Sequence, residues 1–236
     1  TIGEPHQTTK NVLPHDITIR YALTYGSMTP GGNSRGITIN AYNTAVLHSV
    51  SHSNSDGGIG SQGPFADDNV VAYNVVYGQR LVSGSNPRGI QIGNVNLEFL
   101  YDTHPSGVHA TGGNNGLIHH NIVFDNQIYG VVDPDGAHNN KYYNNVVYNN
   151  GGVNFFPDSN AGEPGAANTI GATMKNNIAF GANPNMGEPK VEYGRSPLVY
   201  SDFNLWGLPV DKANIQKWYP NFEQSSRICD ATVGCN

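Results

Sequence analysis

The 236 residues suffice for one large domain with a buried core, but only 13% are charged, which argues against long solvent-facing helices. With 29 glycines, 14 prolines and 31 asparagines the chain must turn often, while recurring Val, Ile, Tyr and Phe exclude a disordered polymer. A net charge of −6, with no block of Lys/Arg, gives no footprint for nucleic acid, and no run of 18 apolar residues offers a membrane span.

Along the chain one frame returns: a polar residue, an apolar one, any residue, an aromatic, then Gly or a polar residue. It reads Arg20-Tyr-Ala-Leu-Thr-Tyr-Gly26, Leu47-His-Ser-Val-Ser-His-Ser53, Ala72-Tyr-Asn-Val-Val-Tyr-Gly78 and His119-His-Asn-Ile-Val-Phe-Asp125. Further copies are Tyr143-Asn-Asn-Val-Val-Tyr-Asn149 and Lys175-Asn-Asn-Ile-Ala-Phe-Gly181, with a weaker one from Asn96 to Asp102. The anchors before the first apolar position are Ala22, Ser49, Asn74, Glu98, Asn121, Asn145 and Asn177, spaced by 27, 25, 24, 23, 24 and 32 residues. A second motif follows each of the first six: Gly36-Ile-Thr-Ile, Gly58-Ile-Gly-Ser, Gly89-Ile-Gln-Ile, Gly107-Val-His-Ala, Gly130-Val-Val-Asp and Gly152-Val-Asn-Phe. Each period thus carries at least two short strands. Such strands are unstable alone but pair with their copies when coils stack. The expected fold is all-β, a right-handed parallel β-helix of about seven or more coils over residues 1–207. Asn at the anchors is expected to form a ladder from coil to coil.

Residues 208–236 are expected to cap the last coil with Trp218, Tyr219 and Phe222, and Cys229 and Cys235 to close a small disulfide loop. A disulfide implies an oxidising compartment, so the protein is expected to be secreted, extracellular or periplasmic. No amphipathic helix precedes the first strand; another chain or a removed segment is expected to cover that end, unless residues 1–14 do so.

The Asn-Asn-Val-Val-Tyr-Asn and Asn-Asn-Ile-Ala-Phe-Gly units resemble repeats of the pectate-lyase-like β-helix superfamily, and Ser201-Asp-Phe-Asn-Leu-Trp206 is similar to the stretch that closes such solenoids. The resemblance spans roughly residues 15–207 and is specific for fold, since the fold hosts lyases, epimerases, hydrolases and non-enzymes. Tyr129-Gly-Val-Val-Asp-Pro-Asp135 resembles the Tyr-Gly-X-Asp-Pro-His motif of mannuronan C-5 epimerases, with one extra residue before Asp133 and with Asp135 where the family has His. The same Asp-Pro-Asp-Gly is also a good turn.

Strand alternation in the Gly-Ile motif places Thr38, Gly60, Gln91, His109, Val132 or Asp133, and Asn154 in one outward column. If Asp133 is the outward residue, it lies beside His109, one strand spacing away. Removal of the C5 proton of a uronic acid would then use His109 as base, Asp133 or Asp135 to neutralise the carboxylate, and Tyr129 to donate to the leaving oxygen. A lyase stops at elimination; an epimerase returns the proton to the other face. Arg35 and Arg88, both preceding Gly in the frame, are candidates for binding an anionic polysaccharide, with Gln91, Asn154 and Asp158, or are solvated turn residues. Asp67 and Asp68 offer oxygen ligands for Ca²⁺, or form a turn. Asp133 paired with Asp135 or Asp158 would instead suit a glycoside hydrolase. His48, His52, His119 and His120 read as stacked or turn residues. A non-catalytic solenoid for carbohydrate binding or assembly is the other class open to the sequence.

Overall fold

A computed structural model describes residues 14–28, 34–61, 66–80, 82, 87–92, 113–133, 138–157, 171–182, 184–187, 198–230 and 234–235. The first coil consists of β1 (Thr18–Arg20), β2 (Leu23–Tyr25) and β3 (Arg35–Ile39). Four further coils repeat it. They are β4 (Ala45–Leu47), β5 (Val50–His52), β6 (Gly57–Ser61); β7 (Val70–Ala72), β8 (Val75–Tyr77), β9 (Arg88–Ile92); β10 (Leu117–His119), β11 (Ile122–Phe124), β12 (Tyr129–Asp133); and β13 (Lys141–Tyr143), β14 (Val146–Tyr148), β15 (Val153–Pro157). Then follow β16 (Ala172–Lys175), β17 (Ile178–Phe180), β18 (Leu198–Asp202) and β19 (Leu205–Trp206). Equivalent strands pair in parallel, so the chain is a three-sided parallel β-helix: one wall holds β1-β4-β7-β10-β13-β16-β18, a second runs from β2 to β19, and a third holds β3-β6-β9-β12-β15.

The repeated frame of the sequence covers the last residue of one strand, a corner and the whole of the next strand. That corner is always two residues. The first takes a left-handed backbone: Tyr21, His48, Tyr73, His120, Asn144, Asn176 and Phe203 have φ between 49° and 59°. Asn tolerates this conformation, whereas Tyr, His and Phe pay for it. Stacking offsets that cost at Tyr21–His48, His48–Tyr73 and Tyr73–His120, whose ring centroids lie 5.6, 5.0 and 5.0 Å apart. The second residue is the anchor, and it turns its side chain into the stack. Asn74 Nδ2 donates to Asn121 Oδ1, Asn121 to Asn145, Asn145 to Asn177 and Asn177 to Asn204, at 3.0–3.1 Å. The expected ladder therefore exists, extended at one end by Asn204. A second ladder at the next corner runs through Asn54, Gln79, Asn126 and Asn150.

The bond from Asn74 to Asn121 spans 47 residues, and β7, β8 and β9 pair directly with β10, β11 and β12. The ladder and the sheets therefore pass directly from one of these coils to the next; the expected anchor Glu98 lies outside the described residues.

Glycine before the core isoleucine has a packing cause. The third wall meets the second at a sharp corner, and a Cβ on Gly89 would overlap Val123 Cγ1 and come within 2.6 Å of the Gly130 carbonyl oxygen. Gly89→Ala is expected to cost about 1–3 kcal/mol through overpacking, read as a lower denaturation midpoint. Inside, Ile37, Ile59, Ile90, Val131 and Phe155 of the third wall meet Val46, Val71, Ile118, Tyr142 and Met174 of the first and Val76, Val123, Val147 and Trp206 of the second. Each such buried side chain contributes about 1.5–3 kcal/mol.

At the C-terminal end helix α1 (Pro209–Trp218) places Ile215 in the core and Asp211 beneath it, fully buried. Strand β20 (Arg227–Asp230) extends the second wall beside β19. It pairs antiparallel with β21 (Gly234–Cys235), in a register that sets Cys229 opposite Cys235. No described helix is long and apolar enough to cross a membrane.

Outside, the second wall is largely apolar from β2 to β19, and Arg227 follows Leu205 in the same column on β20. The first residue of each strand is aliphatic, from Leu23 and Val50 to Ile178 and Leu205. The third is aromatic in β2 to β17: Tyr25, His52, Tyr77, Phe124, Tyr148 and Phe180. These stack in one unbroken column with centroids 4.9–5.4 Å apart and interplanar angles of 4–12°.

Candidate functional site

The polar groups of the third wall converge on its outer face. Arg35, Gly57, Arg88 and Tyr129 open four successive strands in register. Because Gly57 has no side chain, Arg35 lies across it, 3.5 Å from a Cβ built there, and reaches the next coil. Arg35 Nη2 meets Asp56 Oδ2 at 2.5 Å and donates to Gln91 Oε1 at 3.4 Å. Arg88 Nη1 donates to the same Gln91 oxygen at 2.7 Å. All four side chains are buried: Gln91 is 2% exposed and Arg88 8%. Burial lowers the Arg35 guanidinium from its ordinary value; Asp56 offsets this, and Arg88 adds to it by like-charge repulsion. Tyr129 stands next to Arg88, its ring stacked on Phe156 at 5.5 Å. The face therefore combines two guanidinium groups, one carboxylate, an amide and a phenol over four coils. Asp56 was not singled out in the sequence; its place just before the in-frame Gly57 was the available signal.

Several expectations change. Val131 pairs with Ile90 and Phe155 in the inward column, and Val132 pairs with Gln91, so Val132 and not Asp133 occupies the outward column. Its strand neighbour is Gln91 rather than His109, which removes the proposed adjacency of His109 and Asp133 through β-pairing. His109, Asp135 and Asp158 lie outside the described residues; of Asp133 only the backbone, at the end of β12, is described. Gly152 is not the counterpart of Gly130. Val153 pairs with Tyr129, so Asn154 takes the inward glycine position. Asn154 is accordingly fully buried, accepting from Asn150 and donating to the Phe180 carbonyl and to Asn185. It is part of the second ladder and not an outward binding residue.

Asp67 Oδ1 accepts from the backbone N–H and side-chain amide of Asn114, and Asp68 Oδ1 from Asn115. These bonds tie successive turns together. Among the described residues no group of three His, Cys, Asp or Glu converges to hold a metal ion. On the first wall His119 and His120 share a hydrogen bond between their Nδ1 atoms, 2.8 Å apart. Burial, and then His120, hold the His119 imidazole below its ordinary pKa of 6.5. A depressed histidine binds fewer protons folded than unfolded, so its contribution is intact above pH 6.5 and is lost as the pH falls below it. His119→Gln is expected to flatten the loss of melting temperature between pH 7 and pH 5, measured by thermal scans across that range.

Comparison with models of known protein families, with characterised proteins and with solved structures gives no match.

Proposed function

We propose that the protein is a secreted, carbohydrate-active β-helix that removes the C5 proton of uronic acid residues in a polysaccharide, as a lyase or an epimerase. The carrying observation is the concentration of Arg35, Asp56, Arg88, Gln91 and Tyr129 on a single wall over four coils. In this reading Arg35 and Arg88 hold the uronate carboxylate and Tyr129 donates to the leaving oxygen. His109 is the base, and Asp133 or Asp135 helps to neutralise the substrate. A bridge between Cys229 and Cys235 fits the register of β20 and β21 and the proposed extracellular or periplasmic location.

Alginate, pectate and glycosaminoglycans are the substrates to incubate, with unsaturated product followed by absorbance and epimerisation by NMR. Silence in both overturns the reading. Tyr129→Phe keeps the ring stack and removes only the phenol, so kcat is expected to fall about 100-fold or more at unchanged melting temperature; full activity in this variant rejects the assignment of Tyr129. His109→Ala with full activity rejects the base.

A non-catalytic carbohydrate-binding or structural solenoid is the second reading, favoured by the low share of charged residues and the dense Asn ladders. It predicts retention on immobilised polysaccharide without product.

A further inference from the structure

The corner between the first and second walls carries a column whose residues the fold itself does not require. Its left-handed position is Asn144 and Asn176 in two coils, and Asn takes that backbone with least strain. In the first four coils the same position is Tyr21, His48, Tyr73 and His120, each with φ between 49° and 59°. Burial is no reason for these rings: all four are exposed, Tyr21 at 77% and Tyr73 at 47%. Stacking offsets a strain that Asn would not incur, so the rings answer to something outside the fold. The same four coils carry Arg35, Asp56, Arg88 and Tyr129 on the third wall. Within the column the ring faces are taken by neighbours, at centroid distances of 5.6, 5.0 and 5.0 Å. Each rung therefore presents a polar edge, phenol and imidazole in alternation. At one strand spacing of about 4.8 Å per coil, the step of this row is close to that of one sugar in an extended pyranose chain.

The first wall beside this corner supplies charge. One outward column runs in register from Arg20 through Leu47, Ala72, His119 and Tyr143 to Lys175, and Lys141 stands at the start of β13. Arg20, Lys141 and Lys175 are exposed, and among the described residues none of them meets a carboxylate within ion-pair distance. Lys175 lies over the Phe203 ring, 5.3 Å from its centroid; its strand neighbour Asp202 accepts from the N–H groups of Phe203 and Ser225. Asp16, Asp67 and Asp68 stand at the opposite edge of this wall, where Asn43, Asn114 and Asn115 hold them. Beyond the corner, the first outward position of the second wall is aliphatic from Leu23 to Leu205. In a chain of net charge −6, this face thus gathers three cations with His48, His119 and His120, and away from that edge Asp202 is its one carboxylate among the described residues. We infer that the corner, with the first wall beside it, binds an extended anionic polysaccharide laid along the solenoid axis, apart from the third-wall site. Polymer carboxylates meet Arg20, Lys141 and Lys175, and hydroxyls meet the ring edges. Histidine gains charge between pH 8 and pH 5, so the face becomes more cationic on acidification. The class of polymer rests on the proposed function; the binding uses none of the residues assigned to its chemistry.

Polygalacturonate and alginate are the probes, titrated by calorimetry into Tyr129→Phe so that turnover does not intrude. Adding His48→Asn with Tyr73→Asn installs the residue type that the fold uses at Asn144 and Asn176, so the circular dichroism spectrum is expected to stay native. Affinity at pH 5.5 is expected to fall about tenfold or more, and the tightening seen in the reference between pH 7.5 and pH 5.5 to shrink. Lys141→Glu with Lys175→Glu lies outside the ring stack, folds irrespective of it, and is expected to weaken binding at both pH values. No binding of either polymer overturns the proposal. So does equal affinity of the folded corner variant or of the lysine variant, and so does neutral dextran bound as tightly as polygalacturonate. Column-dependent binding by a wild type that forms no product rejects the uronate chemistry and leaves this proposal standing. Product formation with binding indifferent to both sets of substitutions does the reverse.

Discussion

Asn145→Ala is expected to lower the melting temperature by roughly 10 °C, the larger part of it from groups left without partners. Asn145 Oδ1 accepts from both the backbone N–H and the side-chain amide of Asn121, and its own amide donates to the Ile118 carbonyl and to Asn177 Oδ1. Alanine removes four hydrogen bonds at a site with no access to water, since Asn121, Asn145 and Asn177 are 0–1% exposed; Asn177 Oδ1 keeps the Asn145 N–H and the Asn121 amide keeps the Val71 carbonyl, so the Asn121 N–H and the Ile118 carbonyl lose most. Each orphaned group costs about 1–3 kcal/mol; with partial relaxation a total of about 4 kcal/mol is expected, and 1 kcal/mol shifts a domain of this size by about 2–4 °C. Asn145→Asp separates hydrogen bonding from packing. It keeps the shape and the acceptor but removes both donations, and it should be nearly as damaging at neutral pH. Thermal melts of the two variants provide the check. An aspartate variant as stable as wild type would mean that the ladder's amide donors are not what holds the corners.

Asp211→Asn is expected to release the C-terminal cap. Asp211 Oδ1 accepts from the N–H groups of Asn185 and Met186, and Oδ2 from the Asn185 amide and the Leu208 N–H. Four donors converge on a group that must offer acceptors only. An amide in its place turns its own N–H toward two of them, so the isosteric change is as harmful as deletion, about 3–5 kcal/mol. Once α1 loosens, Ile215 leaves the core and Trp206, fully buried in the native state, meets water. The readouts are a red shift of tryptophan emission before the main thermal transition and earlier proteolysis after Gly207. A variant with native emission up to the main transition would show that α1 docks through its apolar contacts alone.

Much of this architecture was legible because the corner dictates the residues. A two-residue bend with one left-handed position and one inward polar side chain leaves a visible signature, and Asn74, Asn121, Asn145 and Asn177 display it. The same compactness hid the third strand. The end of one three-residue strand, the bend and the whole of the next strand, as at β13 and β14, read as one seven-residue unit. Residues 96–102 share the unit's polarity, yet the coils on either side pair directly with each other, which only the strand partners reveal. On the third wall, strand alternation placed Gln91 outward correctly, but outward did not mean solvated. Arg35 and Arg88 close over it, an arrangement that depends on Gly57 and on contacts between residues 56 positions apart. Asn154 failed for a related reason: in its coil the nearest glycine, Gly152, is two positions away from the one the corner uses.

The unvarying two-residue bend has an evolutionary corollary. Between the first and second walls the chain never lengthens, from Tyr21-Ala22 to Phe203-Asn204, whereas between the third wall and the next coil the connection grows from 5 residues after β3 to 24 after β9. One edge of the prism is a seam closed to insertion, because an added residue would throw every later rung out of step. The opposite edge accepts new sequence freely, and the longest connection, residues 93–116, starts at the end of the strand that carries Arg88 and Gln91. Diversification of the surface therefore runs along that edge and, to a lesser extent, along the edge between the second and third walls, where the connection ranges from 4 residues after β5 to 10 after β8; the scaffold itself need not change.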